Sequence, residues 1–244
     1  MAGFVMANAC FAAGGLIVVV KAEGGVTTSD SSGKNERAVA SKSVLPQKQV
    51  LVTGENGRAV VRVGDSGYLV VEKNSKVEIS SSKDLVGFFR HVTGMIYYAF
   101  NVIKGDRPKL VIKMSNANLG IRGTRFLIAD MPDRNEIVMR KGLISVSSPD
   151  EEFEIHRNAE LDEFEAFKQE GIGVVAKEKR EFDEYKADSK REFVEYKREF
   201  SLGENRMASF DGKRVQERPL NEVAKRDMET LEEYAEEWLK EVRD

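Results

Sequence analysis

From Gly15 to about His156 the chain is cut into short β-rich runs, and that punctuation limits its fold more than any other feature. Runs such as "LIVVVKAE" (16–23), "QVLVTG" (49–54), "RAVVRVG" (58–64), "YLVVEK" (68–73), "KVEIS" (76–80), "GMIYYAFNVIKG" (94–105), "KLVIKMS" (109–115), "TRFLIAD" (124–130) and "NEIVMRKG" (135–142) are rich in Val, Ile, Leu, Tyr and Phe. Gly, Asn, Asp and Ser clusters end them about every 8–12 residues. Such spacing predicts a mostly β fold, a β-sandwich or a short β-solenoid. In "RAVVRV" the side chains of Ala59, Val61 and Val63 share one face, which predicts one buried and one wet face per strand. Residues 80–94, "SSSKDLVGFFRHVTG", interrupt the pattern and read as a short helix or ordered loop.

After residue 160 the spacing turns helical. An eleven-residue repeat, "REFDEYKADSK" (180–190) followed by "REFVEYKREFS" (191–201), sets Phe182, Tyr185, Phe193, Tyr196 and Phe200 on one stripe of a helix. Residues 201–218 read as a break, and 219–242 as a second helix with Pro219 in its first turn and Leu231, Tyr234, Ala235 and Trp238 on its apolar face. The expected organisation is therefore a signal remnant at 1–14, a β domain at 15–157 and a charged helical tail at 160–244. Charge divides in the same way. Residues 1–150 hold 20 Lys and Arg against 13 Asp and Glu, while 151–244 hold 18 against 28. Either the tail is a solvated, charge-rich helix, or it folds back on the basic body or meets a basic partner.

Residues 1–20 contain no charged side chain. Three readings stand: a membrane span, a secretory signal lacking its basic start, or a signal remnant followed by a first strand from Leu16. The "ANA" at 7–9 supplies a cleavage pattern, and Cys10 after it raises lipid attachment. The third reading is preferred, which places the chain in the periplasm or outside the cell, with membrane anchorage as the alternative. The single cysteine allows no internal disulfide.

No catalytic or metal constellation is legible. His91 and His156 stand far apart, and neither a nucleophile elbow nor a phosphate loop occurs. The tail carboxylates sit on a repeat that reads as solvated surface, where nothing splits their pKa values. The expectation is a non-enzyme without cofactor or metal. "NLGIRGTRF" holds a Gly-x-x-Gly at Gly120–Gly123, but strand-like sequence flanks it where an RNA-binding KH clamp needs helices, so no nucleic-acid partner is expected. A structural role fits Gly120, Arg122, Gly123, Thr124 and Phe126 better. Gly123 permits a positive φ, and Arg122 offers five donors that would tie carbonyls and a carboxylate at a bend between sheets.

"NLGIRGTRFLI" followed by "EIVMRKGLISVSS" resembles the signature of the FecR domain family. Upstream, Thr53-Gly54, Gly57-Arg58-Ala59, Asp65-Ser66-Gly67 and Ser75 stand where that family has its turn residues. One departure is "VGDSGYLVV", where the family has Asp-Gly-Ser. The resemblance spans about residues 15–157 and implies an exported, envelope-located β module. The best-known members are membrane-spanning sigma-factor regulators of iron-siderophore signalling. Before residue 15 there is no room for their cytoplasmic part, so the standalone exported members are the expected likeness.

The leading expectation is a periplasmic or envelope module that binds a protein partner, for example by strand addition at a sheet edge. Phe182, Tyr185, Phe193 and Tyr196 are the candidate contact residues, with self-association through the tail and proximity to membrane or cell wall as further readings. Regulation of a sigma factor in iron-transport signalling is the alternative, and cell-wall or carbohydrate attachment a third.

Overall fold

The computed structural model describes residues 17–46, 48–82, 85–101, 110–158 and 192–240. In chain order the strands are β1 (Ile17–Glu23), β2 (Val26–Asp30), β3 (Arg37–Ala38), β4 (Ser43–Val44), β5 (Gln49–Thr53), β6 (Arg58–Val63), β7 (Gly67–Val71), β8 (Lys76–Ser82), β9 (Leu85–Phe100) and β10 (Leu110–Lys113). They continue as β11 (Asn118–Ile121), β12 (Arg125–Met131), β13 (Arg134–Lys141), β14 (Ile144–Ser147), β15 (Phe153–Asn158), β16 (Glu192–Lys197), β17 (Glu199–Leu202), β18 (Arg206–Asp211) and β19 (Arg214–Pro219). Helix α1 (Glu222–Lys240) follows.

The chain weaves between two sheets. Sheet A runs β4-β1-β6-β7-β9-β12-β13-β18-β19-β15-β16. Sheet B runs β3-β2-β5-β8-β9-β10-β11-β14-β17. Strand β9 belongs to both: its first half pairs β8 and β10, its second half β7 and β12. The expected helix or loop at 80–94 is thus strand over 80–82 and 85–94, because Phe89 lies in the apolar core between the sheets, with β8 and β10 on either side.

Adjacent residues of sheet A enter two different cores. Val19, Val61, Leu69, Tyr98, Phe126, Ile137 and Ala208 face sheet B. Their neighbours Val20, Val60, Val70, Tyr97, Leu127, Val138 and Met207 face outward, under α1. The expected wet face of these strands is therefore dry: Val60 and Val70 are each 0% exposed. Strands buried on both sides carry unbroken apolar runs, and "AVV", "FLIA" and "IVM" are such runs.

Two of the sharpest corners rest on glycine. Gly94, where β9 passes from one sheet to the other, has φ +94, and an added Cβ would lie 2.4 Å from Ser75 Cα. Gly142 has φ +91, and its Cβ would meet the Gly123 carbonyl at 2.6 Å. Buried hydroxyls lock the neighbouring turns. The Thr53 hydroxyl accepts from the Ser75 N–H (2.9 Å), and the Ser75 hydroxyl accepts from Met95 N–H (3.0 Å). Gly94→Ala is expected to lower stability by about 2–3 kcal/mol, through strained φ and overlap with Ser75; a shift of the urea midpoint checks it.

The expected two-helix tail is corrected. Residues 192–219 form β16 to β19, and only 222–240 are helical among the described residues. "SFDGKRVQ", which falls in the expected break at 201–218, makes a β18–β19 hairpin around Asp211-Gly212. Phe193 and Tyr196 share no helical stripe, because both lie on strand β16. The repeat itself lies largely outside the described residues. Pro219 closes β19 instead of opening the helix, and Asn221 caps α1, its Oδ1 accepting from Ala224 N–H at 2.8 Å.

Candidate functional site

Residues 122–124 form a corner, taking the chain from β11 in sheet B to β12 in sheet A. The return path, β13 to β14, turns beside it at Gly142. Thr124 is buried, its carbonyl accepts from Phe100 N–H (2.9 Å), and Phe126 stacks on Tyr98 with centroids 5.0 Å apart. Gly120 pairs Val111 and Ser145 within sheet B. Arg122 stands on the outer side of this corner instead of inside it. It is engaged in an interaction, but it is exposed, because Ile121 takes the inward position beside it. The inside of this corner is built by backbone and by Thr124. Arg122→Ala is accordingly expected to shift stability by less than about 1 kcal/mol, read from the urea midpoint.

Of the candidate contact residues, Phe182 and Tyr185 lie outside the described residues. Phe193 and Tyr196 sit on β16, where they pair Arg157 and Glu154 of β15. Tyr196 is 64% exposed and Val194 42%. Phe200, read as part of the same stripe, is instead buried between the sheets against Phe153, with centroids 5.5 Å apart.

The outward face of sheet A carries the densest chemistry among the described residues. α1 lays Ala224, Met228, Leu231 and Ala235 on it, and the acidic C-terminal part meets the basic body through that helix. Arg134 pairs with Asp227 (2.7 Å) and also with Glu136. Arg140 reaches Glu232 (3.1 Å) and Glu229 (3.8 Å), and Arg125 reaches Glu232 (3.5 Å). The Tyr97 hydroxyl donates to Glu232, and burial with that carboxylate pushes it above the usual tyrosine range. At the far end the Tyr234 hydroxyl donates to Glu23 (2.8 Å), which holds that carboxyl below its usual range. Lys21 stands 3.5 Å over the Trp238 ring and Arg58 4.6 Å over Tyr234. Sequence reading had offered this fold-back as an alternative; the unexplained signal was Val60 and Val70 on a face expected to be wet.

His91 is a buried titratable group at the inner core. Its Nε2 donates to the Gly94 carbonyl (3.1 Å), and its Nδ1 then accepts from the Tyr98 hydroxyl (3.1 Å). Burial pushes its pKa from 6.5 to about 4, against the opposing pull of the Gly94 hydrogen bond. His156 lies within 2.8 Å of Glu154. Among the described residues no group of three or more His, Cys, Asp or Glu is placed to hold a metal, and no helix is long and apolar enough to cross a membrane.

Comparison with known proteins agrees with the corner signature. Among curated proteins nothing matches. Two solved structures of a candidate anti-sigma factor from Parabacteroides distasonis ATCC 8503 are similar in outline, each at 10% identity and covering 70% of this chain. Their TM-scores, 0.45 and 0.44, are too low to carry an argument about function, and this chain spans 60% of that one. The model of the family described as FecR protein matches residues 49–145, the stretch from β5 into β14 that forms the middle of both sheets. The chain carries a FecR domain at residues 49–145.

Proposed function

We propose that the chain is a non-catalytic, protein-binding module in a signalling route that regulates a sigma factor, and that it works in the cell envelope. The FecR domain at 49–145 is the observation that carries this reading, since the best-known members of that family are sigma-factor regulators. The arrangement around the domain is in keeping with recognition. Its outward face already holds a helix through paired charges and apolar contacts, which is how protein partners are held.

Exposed Val194 and Tyr196 favour a second contact place, at the β16 margin of sheet A, where strand addition would extend the sheet. Glu195 and Lys197 lie on that strand and would select a partner strand of complementary charge.

The test is transcriptional. Deleting the gene and restoring it should change, and then reset, a set of transcripts that share one promoter type. An unchanged transcript profile under both deletion and overproduction would contradict the sigma-factor reading.

A further inference from the structure

The groove beneath α1 is built mainly by the FecR domain, yet its cover comes from outside that domain. Val60, Val70, Tyr97, Leu127 and Val138 make the apolar floor, and all lie within residues 49–145. Arg58, Arg125, Arg134 and Arg140 rim the floor and lie in the same span. α1 begins only at Glu222.

The hold of α1 differs in kind from that of the strands around it. Four of its apolar side chains are fully buried, and two of those are alanines. The rest of the contact is made by partly buried Leu220, Tyr234, Trp238 and Leu239, by Glu232 beside Tyr97, and by ion pairs along the rim. Arg134, Arg140 and Arg125 keep 24%, 35% and 49% of their side-chain surface exposed, so salt reaches these pairs. The central strands of sheet A, by contrast, are hydrogen-bonded to a neighbour on each side. A segment docked this way opens at lower cost than the sheets beneath it. Its covalent link to them runs through Leu220, just after β19, so opening leaves the floor and the arginine rim assembled.

We propose that this groove is a docking site for an acidic amphipathic helix of a protein partner, and that α1 is a resident stand-in which the partner displaces. The fit defines the partner's chemistry. Apolar residues spaced like Met228, Leu231 and Ala235 fill the floor. Flanking carboxylates meet Arg134 and Arg140, and one deeper carboxylate takes the Tyr97 hydroxyl, as Asp227, Glu229 and Glu232 do now. The proposal names the surface for the protein-binding role above and rests on that part of it, while its test involves no sigma factor.

The experiment uses the full chain and a labelled peptide copying residues 220–240. Amides of α1 are expected to exchange hydrogen at least about tenfold faster than those of β7, β12 and β13, and faster still in about 0.5 M sodium chloride. Leu231→Asp undocks the resident helix, so the peptide should bind this variant at least about tenfold more tightly than the wild-type chain. Adding Arg140→Ala should weaken that binding. The proposal is overturned if α1 exchanges in step with the strands, if Leu231→Asp loses its sheets, or if the peptide binds neither chain. Dimers formed by trading α1 between copies would assign the groove to a second copy and also overturn it. If these results hold while the transcripts do not respond, the groove stands and the sigma-factor reading falls.

Discussion

A chain ending at residue 158 is expected to lose its cooperative urea transition and to bind an apolar dye. Strand β15 shows why. Its described partners are β16 and β19 alone, so truncation leaves Phe153 and Ile155 on a strand with no neighbour. β13 loses β18, and β14 loses β17. On the outward face Tyr97, Leu127 and Val138 lose α1 and Met207. Exposing a buried side chain of this size costs about 1.5–3 kcal/mol. Five of them cost roughly 8–15 kcal/mol, as much as the whole margin of about 5–15 kcal/mol that holds a domain folded. The expectation from sequence alone was the opposite, a self-sufficient β domain ending near residue 157. Near-ultraviolet circular dichroism with a urea titration decides between the two.

Acid is expected to weaken the protein well above the usual carboxylate range. His91 has a pKa of about 4 in the fold and about 6.5 when the chain is open. As pH falls below 6.5 the unfolded chain takes the proton first, so stability is full above that pH and drains between 6.5 and 4. The loss is about 2 kcal/mol by pH 5 and about 3 kcal/mol by pH 4. Carboxyls held low, such as Glu23, contribute only below their ordinary range and so act later in the titration. Urea midpoints at pH 7.5 and 5 measure the effect. In His91→Phe, which removes the proton site, the difference between these two midpoints should shrink by most of that amount.

Much of the double-sheet body was legible in the sequence because its signals are local. Alternation in "KVEIS" and turn residues at Gly24-Gly25, Asn56-Gly57 and Asn74-Ser75 need no knowledge of the rest of the chain, and they fall where strands end. The glycine-framed corner was legible for the same reason, since Gly123, at φ +100, carries its own backbone requirement. What failed depended on distant partners. "EFVEYK" spaces its aromatics as a helix would, but β15 offers it an edge. Val60 gave no sign of which layer would cover it, because that layer arrives more than 150 residues later in the chain. Arg122 was read as a buried fastener from its donors alone, whereas strand alternation at Ile121 sends it outward. His91 could not be read as buried, because its stretch did not look like a strand.

The central structural claim is that a helix from beyond the FecR domain closes that domain's outward face. A double-mutant cycle between Arg134 on β13 and Asp227 on α1 tests it most directly, since the two meet at 2.7 Å and both are partly buried. Stability is measured for Arg134→Ala, Asp227→Ala and the pair. A coupling of about 1 kcal/mol is predicted, and additivity within about 0.3 kcal/mol would contradict the account.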